Sequence, residues 1–389
     1  MKKLYLSALI TSMLIFGQPF TALADTAELK IINFKDIKGI INEQNIDVKI
    51  NQNNRLNSEV TKAYLKRSIK DLEDDLEDID SQRDQTEESS TRVSLGTEKR
   101  SLLDNLKELE RNLADLPTSI AIADLEASMS DDTQTLTAES KFIAYNQLKL
   151  SSSDISLSID TLQKQLEVLK SKEQLGLIPF TTVNDNINKL IDLQNQLESV
   201  HFQMDSYKGD LKNLFSFEKY PEIGTVPILN EAFTPEDQDS DLKKALESSY
   251  TIAIKKYEIV ILQSDLEQAQ KDHGLSSYQY KEANYNLMNA NLELTQLEQE
   301  LETTYHSIIN DIAKKQSDLC LAEQDLTEEK VALSEAQVRM SLGMITQSEM
   351  DTAKNNYQVQ ENAVKTKQID LFESKNNYDW FLKGMPYSS

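Results

Sequence analysis

The 389-residue chain holds only 9 glycines and 7 prolines, one cysteine and one tryptophan. At average usage a chain this long carries roughly 27 Gly and 19 Pro. So few turn formers exclude sandwiches, propellers and doubly wound sheets, which need a punctuating residue about every ten positions. From Glu236 to Met385 there is no proline, and only Gly274, Gly343 and Gly384 interrupt the run. Long helices are what this composition leaves, and 27% charged residues put much of their surface in water. The single Cys320 excludes an intrachain disulfide and a thiolate metal site. Set in Leu319-Cys320-Leu321-Ala322, it reads as a small apolar residue in a helix seam. Positive charge is also scarce: 41 Lys+Arg stand against 65 Asp+Glu, a formal net charge of −24. That balance excludes nucleic acid as a partner and disfavours anionic lipid. It suits an exported protein, or the wall of a conduit that favours cations.

Catalytic signatures are missing as well. No HExxH, GxSxG, P-loop or GxGxxG occurs. His201, His273 and His306 have neither a second ligand at i+4 nor an adjacent nucleophile, and read as helix or turn surface. The expectation is a non-enzyme with no catalytic or metal centre and no cofactor.

At the N-terminus, Lys2 and Lys3 precede an apolar run from Leu4 to Phe16, and Ala22-Leu23-Ala24 offers a small-x-small cleavage site. Residues 1–24 are read as a signal peptide with Asp25 as the mature start, and the absence of Cys there argues against a lipid anchor. No later stretch reaches the roughly eighteen apolar residues a spanning helix needs. The expectation is an exported chain that is not a helical membrane protein.

What is present is helical periodicity. Leu65, Ile69, Leu72, Leu76 and Ile79 step by 4, 3, 4, 3, and Leu102, Leu106, Leu109, Leu113 and Leu116 repeat the steps. Both are coiled-coil seams. The polar stretch from Ser81 to Gly96 predicts that they fold back as an antiparallel hairpin, with Pro117 ending the second arm. Ten acids lie between Asp71 and Glu88 against Arg83 alone. Their spacing lacks the regularity and central Gly of a calcium loop, so they read as a solvated helix face. Thr118 to Thr137 reads as a looser connection. Ile155, Ile159, Leu162, Leu166 and Leu169 mark a further helix from Ala138 to about Gln174. Beyond the break at Leu175-Gly176-Leu177-Ile178-Pro179, another runs from about Thr181 to Leu214. Pro221, Gly224, Pro227 and Pro235 make residues 216–240 a linker. It divides a first helical hairpin repeat, 25–215, from a second, 241–389. In the second, helices are predicted over Asp241–Lys271, Tyr278–Arg339 and about Ser348–Leu382.

Overlaying the halves gives the strongest signal. Leu175-Gly176-Leu177-Ile178 aligns with Leu342-Gly343-Met344-Ile345 at an offset of 167, which also sets Val183 on Met350, Leu197 on Val364, Leu211 on Tyr378 and Leu214 on Phe381. Upstream, Ile46-Asp47-Val48-Lys49-Ile50 meets Tyr250-Thr251-Ile252-Ala253-Ile254 at an offset of 204. The first half therefore holds about 37 extra residues, which the acidic hairpin around Arg83 accounts for. Paired long amphipathic hairpins cannot bury every face alone, so the duplication calls for neighbours. A ring of chains answers that need, and so does a coiled coil that dimerises or spaces two bodies apart.

In these features the sequence resembles the TolC-like outer membrane efflux proteins. Phe34-Lys35-Asp36-Ile37 through Ile41-Asn42-Glu43-Gln44-Asn45-Ile46 is similar to that family's opening helix and Asn-rich turn. Asp241-Leu242-Lys243-Lys244-Ala245-Leu246-Glu247 resembles the same element in the second repeat. Arg339-Met340-Ser341-Leu342-Gly343-Met344-Ile345-Thr346, then Glu349-Met350, resembles the family's Gly turn, polar cap and following acid, and Tyr378 to Gly384 resembles its aromatic-Leu-Gly close. The resemblance implies an all-α fold of two tandem coiled-coil hairpins, assembled as a homotrimeric α-barrel in the cell envelope. It further implies a passive efflux or type I-like secretion conduit, docked to a periplasmic membrane-fusion adaptor and an inner membrane export pump. The docking turns carried over are Leu175, Gly176, Leu177 and Ile178, and Leu342, Gly343, Met344 and Ile345. The family often places an acid six residues after the Gly to line its entrance. Glu349 keeps it in the second repeat, whereas Thr182 does not in the first.

One feature of the family is missing. Its outer-membrane members carry strand pairs between the helices of each repeat, about ten alternating residues per strand. Between Lys271 and Tyr285 there is room only for a turn, and Ile120–Leu125, the nearest candidate in the first half, is too short. The expectation is an α-barrel with little or no β structure, suited to a cell without an outer membrane or to a tube that stops short of one. The rival function is a non-conducting envelope scaffold. A periplasmic adaptor would need a small Gly- and Val-rich β module, which is not found.

Overall fold

The computed structural model describes residues 31–229, 233, 235 and 237–387. The expected signal peptide with its Ala22-Leu23-Ala24 site lies outside the described residues, as do residues 230–232, 234 and 236 of the linker. The described chain is almost wholly helical. A 3-10 turn, Phe34–Asp36, leads into α1 (Ile37–Gln44), α2 (Ile46–Gln85), α3 (Ser89–Gln174) and α4 (Phe180–Leu214). After the linker come α5 (Gln238–Ser248), α6 (Tyr250–His273), α7 (Tyr278–Ser341) and α8 (Gln347–Phe381). Strand pairing among the described residues is confined to β1 (Ile31–Ile32) and β2 (Glu222–Ile223), a two-residue parallel contact. No helix in the described residues is long and apolar enough to cross a membrane.

Packing arranges the helices in four rows. α2 and α4 both pack on α3, α3 packs on α6 and α8, and these two pack on α7. Within a row the shorter helices stack end to end. Asn45 caps α2 through its side-chain oxygen and passes its Nδ2 to the Leu214 carbonyl at the end of α4, 2.9 Å away. In the third row Ser249 caps α6, Ser248 Oγ bonds the Leu382 carbonyl at 2.9 Å, and Tyr250 N bonds the Gly384 carbonyl at 3.2 Å. Each repeat is thus one long helix flanked by a stacked pair, with α7 and the α2/α4 pair as the outer rows.

The repeat is exact in length where it matters for the tips. α4 and α8 both have 35 residues and begin and end 167 apart. The caps Asn45 and Ser249 stand 204 apart and follow short helices in both halves. Two apolar cores form where the stacked pairs meet. Their members include repeat mates: Ile41 with Ala245, Ala138 with Tyr305, Leu211 with Tyr378 and Phe215 with Leu382, all buried. The extra length of the first half lies in its coil, since α2 has 40 residues against 24 in α6 and α3 has 86 against 64 in α7. Asp272, at the end of α6, is held by Lys107 at 2.8 Å and Arg111 at 2.6 Å. Beyond that level α2 and α3 continue alone, joined by the seam of Leu72, Leu76, Ile79, Leu95 and Leu102 and by Lys99 on Asp80.

Besides the single helix predicted over Asp241–Lys271, which breaks at Ser249 into α5 and α6, three expectations are corrected. Pro117 does not end an arm, and residues 118–137 are not a loose connection: α3 runs unbroken through both. A proline in a helix interior costs about 3 kcal/mol, and here tertiary bonds hold the segment beyond it in place. Asn51 and Arg55 on α2 reach Asp131 at 2.7 and 3.2 Å, Arg55 also reaches Ser128 at 3.2 Å, and Tyr250 Oη bonds Asp132 at 2.9 Å. The reversal expected over Ser81–Gly96 shrinks to Thr86–Glu88. There Glu88 accepts from Ser90 and Thr91, and Arg92 Nε bonds the Thr86 carbonyl at 2.7 Å, so both helices reach almost to the turn. The third concerns Cys320, which lies exposed on α7 and in no seam of this chain.

Candidate functional site

The α3–α4 and α7–α8 connections are built alike. Gly176 and Gly343 both sit at φ 69°, a left-handed conformation that suits a residue without Cβ. Around them the hydrogen bonds repeat. Gly176 N bonds the Glu173 carbonyl and Leu177 N that of Lys172, while Gly343 N bonds Met340 and Met344 N bonds Arg339, at 2.8–3.0 Å. This arrangement closes the helix with the carbonyls of its last turn satisfied. The Lys164–Asp351 ion pair, 3.3 Å, sets the start of α8 beside the last turns of α3, so both connections lie at one end of the bundle.

Tight reversal leaves the apolar side chains at the tips facing solvent. Leu175 is 74% exposed, and Leu177, Leu342 and Met344 are similarly open. Ile178 and Ile345 are half-buried against their own hairpins. The eight residues singled out from the sequence therefore divide into four outward apolar groups, two turn glycines and two anchors. Sequence reasoning missed Phe180, which opens α4 and is exposed beside Leu177. An aromatic residue straight after Pro179 at a helix start was the available signal.

The tips differ in how the following helix is capped. Thr346 caps α8: its Oγ1 accepts from Glu349 N at 3.3 Å, and the Glu349 carboxylate accepts from Thr346 N at 2.7 Å and Thr346 Oγ1 at 2.9 Å. Those bonds, the backbone one foremost, hold the Glu349 carboxyl below its ordinary value. Its charge is already engaged at its own helix end. In the first repeat Pro179 stands at the cap position and Thr182 at the acid's, with no side-chain cap.

Elsewhere the polar side chains tie row to row. Between α3 and α8, Asn355 Nδ2 bonds Thr161 Oγ1 at 2.6 Å and Asn362 Nδ2 bonds Asp154 Oδ1 at 2.6 Å and Ser153 Oγ at 3.3 Å. Near the junction of α8 and α6, Glu139 is buried and accepts from Trp380 Nε1 at 2.6 Å and Asn376 Nδ2 at 2.8 Å. Burial, the largest influence, raises its carboxyl above the ordinary value against those two bonds and the nearby Lys383 and Lys38. Both lysines lie over the Trp380 ring, at 4.4 and 5.2 Å. His201, thought to lack a nucleophile, has Ser152 Oγ at 3.0 Å from Nε2. This pair sits between α3 and α4 at the surface, with no orienting carboxylate bonded to His201 among the described residues. Within those residues no cluster of metal-ligating side chains occurs.

No family model and no curated protein matches the sequence. The structure does match solved ones. VceC, an outer membrane protein of the bacterial pathogen Vibrio cholerae, aligns with a TM-score of 0.53 at 13% identity, over 71% of this chain and 76% of VceC. The outer-membrane channel OprN aligns with a TM-score of 0.52 at 13% identity, over 71% of this chain and 72% of OprN. The CmeC outer membrane channel of Campylobacter jejuni aligns with a TM-score of 0.50 at 10% identity, over 72% of this chain and 69% of CmeC. At such identities the likeness is one of fold. The chain has the TolC-like fold, long helices packed in pairs.

Proposed function

We propose that this chain is the tunnel-forming subunit of an export assembly in the cell envelope, a passive conduit working with an adaptor and an inner membrane pump. The observation that carries the reading is the matched pair of tips. Two repeats bring two identical Gly reversals to one end, each showing apolar side chains to solvent, and an exposed apolar cluster of that kind calls for a partner. The resemblance makes that partner the adaptor and makes Leu175, Gly176, Leu177, Ile178, Leu342, Gly343, Met344 and Ile345 its contacts. Phe180 joins them on geometry. Glu349 stands one turn from the second tip, where it lines the entrance in this reading while capping α8. Domain division follows the repeats, 25–215 and 241–389 about the 216–240 linker, after a signal peptide of 1–24.

Conduction requires a lumen, and the two outer rows leave room for chains to close on one another, three by family resemblance. A wall of net negative charge favours cationic cargo. No catalytic role is assigned to the chain. The second reading, a non-conducting scaffold, is favoured by one observation: helical hairpins with short turns, Thr86–Glu88 and Gly274–Ser277, stand where strand pairs are expected of an outer-membrane tube.

Light scattering on residues 25–389, with negative-stain images of the same fraction, tests the two. A mass near three chains with a ring in end view supports the tunnel. A two-chain particle without a lumen overturns it in favour of the scaffold. Tip function is tested separately, since Leu177→Ser with Met344→Ser should abolish adaptor capture and leave the assembly mass unchanged.

A further inference from the structure

A cavity of about 560 Å³ opens where α8 ends, between α3, α4 and the last described residues. Local structure builds it. The chain leaves α8 through Gly384, at φ 96°, where a Cβ would overlap the Ser248 carbonyl. Met385 N then bonds the Trp380 carbonyl at 3.1 Å, which turns the chain back on the helix it has just left. Met385 is buried there, and Tyr387 is half-buried against the second apolar core. Tyr387 comes near enough to Asp311 and Glu373 that, after burial, their charges help to raise its phenol above the ordinary value. Together with this returning segment, Tyr207 of α4 and Glu373, Trp380 and Phe381 of α8 line the cavity.

Charge around the cavity is matched except at one group. Lys141, also in the lining, is held by Asp210 at 2.6 Å and lies 5.2 Å from the centre of the Tyr207 ring. Lys383 and Lys38, over the Trp380 ring, act on Glu139. Glu373 has no ion-pair partner among the described residues. The bond it accepts there, from Gln147 Nε2, is long at 3.5 Å, and the same amide reaches Asp370 at 3.1 Å. Burial, then Asp370, push the Glu373 carboxyl above its ordinary value, and the more distant Lys315 does not offset them. We propose that this cavity binds an organic cation, with the charged head against Glu373 and the apolar body among Tyr207, Phe381 and Tyr387. Aromatic faces attract such a head, the carboxylate neutralises it, and the volume suits one small molecule. The repeat does not duplicate the site, since Ser206 and Ser374 are the mates of Glu373 and Tyr207. Every wall belongs to one chain, so the site needs no second copy and stands apart from the conduit reading.

Trp380 lines the cavity and is the only tryptophan, so its fluorescence reports binding there and nowhere else. Residues 25–389 are titrated with benzyltrimethylammonium, and with benzyl alcohol and benzoate as neutral and anionic counterparts, while calorimetry counts the sites. The cation should saturate at one per chain, the alcohol should bind about tenfold more weakly, and benzoate should give no saturable signal. Glu373→Gln should weaken the cation about tenfold and leave the alcohol unchanged, which also shows the cavity intact. Tyr387→Leu should weaken the cation about threefold through the lost aromatic face. Asp205→Asn, an exposed acid elsewhere on α4, should change nothing. Equal responses to all three probes overturn the proposal, as does Glu373→Gln binding the cation as tightly as unsubstituted protein. So do an Asp205→Asn effect as large as that of Glu373→Gln, and calorimetric binding to which Trp380 is silent. Absence of saturation up to about 10 mM overturns it as well. None of these outcomes bears on the mass or the ring that test the tunnel.

Discussion

Removing the Glu139 carboxylate is the sharpest test of the packing described here. The side chain is 7% exposed and accepts one bond from Trp380, itself 2% exposed, and one from Asn376. In Glu139→Ala both donors lose a charged acceptor, about 1.5–3 kcal/mol for each bond. Against this, the protein no longer desolvates a carboxylate, a term of several kcal/mol before its partners are counted. The difference should leave a loss of about 2–3 kcal/mol, because the buried indole N–H cannot turn to water. Glu139→Gln keeps an acceptor and sheds the charge, so it should cost less than about 1 kcal/mol. Trp380 is the only tryptophan, so its fluorescence in urea reports on this junction alone. The pH dependence has a definite sign. Burial raises the folded-state carboxyl, so between its ordinary value and the raised one the folded state binds more protons than the unfolded. Stability therefore falls as pH rises through that window, and Glu139→Gln should flatten the fall. Equal losses for Ala and Gln, or a loss below about 0.5 kcal/mol for Ala, would refute the reasoning.

Two further outcomes follow from the geometry. Gly176→Ala and Gly343→Ala should each cost about 1 kcal/mol in thermal melts, and equally, because an added Cβ meets nothing within 4 Å at either site and only the left-handed backbone resists it. Lys107, then the other groups around it, hold the Asp272 carboxyl far below the usual carboxylate range, so this clamp persists in mild acid and is lost only as pH falls through that low value. Added salt should loosen it instead, and Asp272→Asn should speed amide exchange in the last turns of α6 while leaving the tips unchanged.

Most of the helices were legible because the coiled-coil pattern is local. The seam at Leu65–Ile79, its partner at Leu102–Leu116 and the series from Ile155 to Leu169 are buried or half-buried as their spacing requires. The 167-residue offset held to the residue at both ends of α4 and α8. Residues 118–137 were misread because Pro117 and a run of Ser, Thr and Asp outweighed the sparse stripe of Ile122, Leu125, Met129 and Leu136, and because the stabilising polar contacts, Arg55 to Asp131 and Tyr250 to Asp132, are distant in sequence. Pro117 carried a strong local preference that tertiary packing overrode. At the tips the glycines announced the reversals, whereas the cap on Glu349 needed coordinates to see. Cys320 was judged by its apolar neighbours, which share its helix but do not cover it, and it lies exposed on α7.

The bundle has one flush end and one stepped end. Two helices of 35 residues bring both tips to a common level, and a change of length in either would lift one turn away from whatever the pair engages together. At the other end the first repeat already outruns the second by 16 residues on one arm and 22 on the other, roughly 24 and 33 Å of rise. Nothing in the second repeat has to match that growth, since the added arms satisfy each other through their own seam. Packing therefore leaves length unconstrained at one end of this protein and ties the two repeats to a common length at the other.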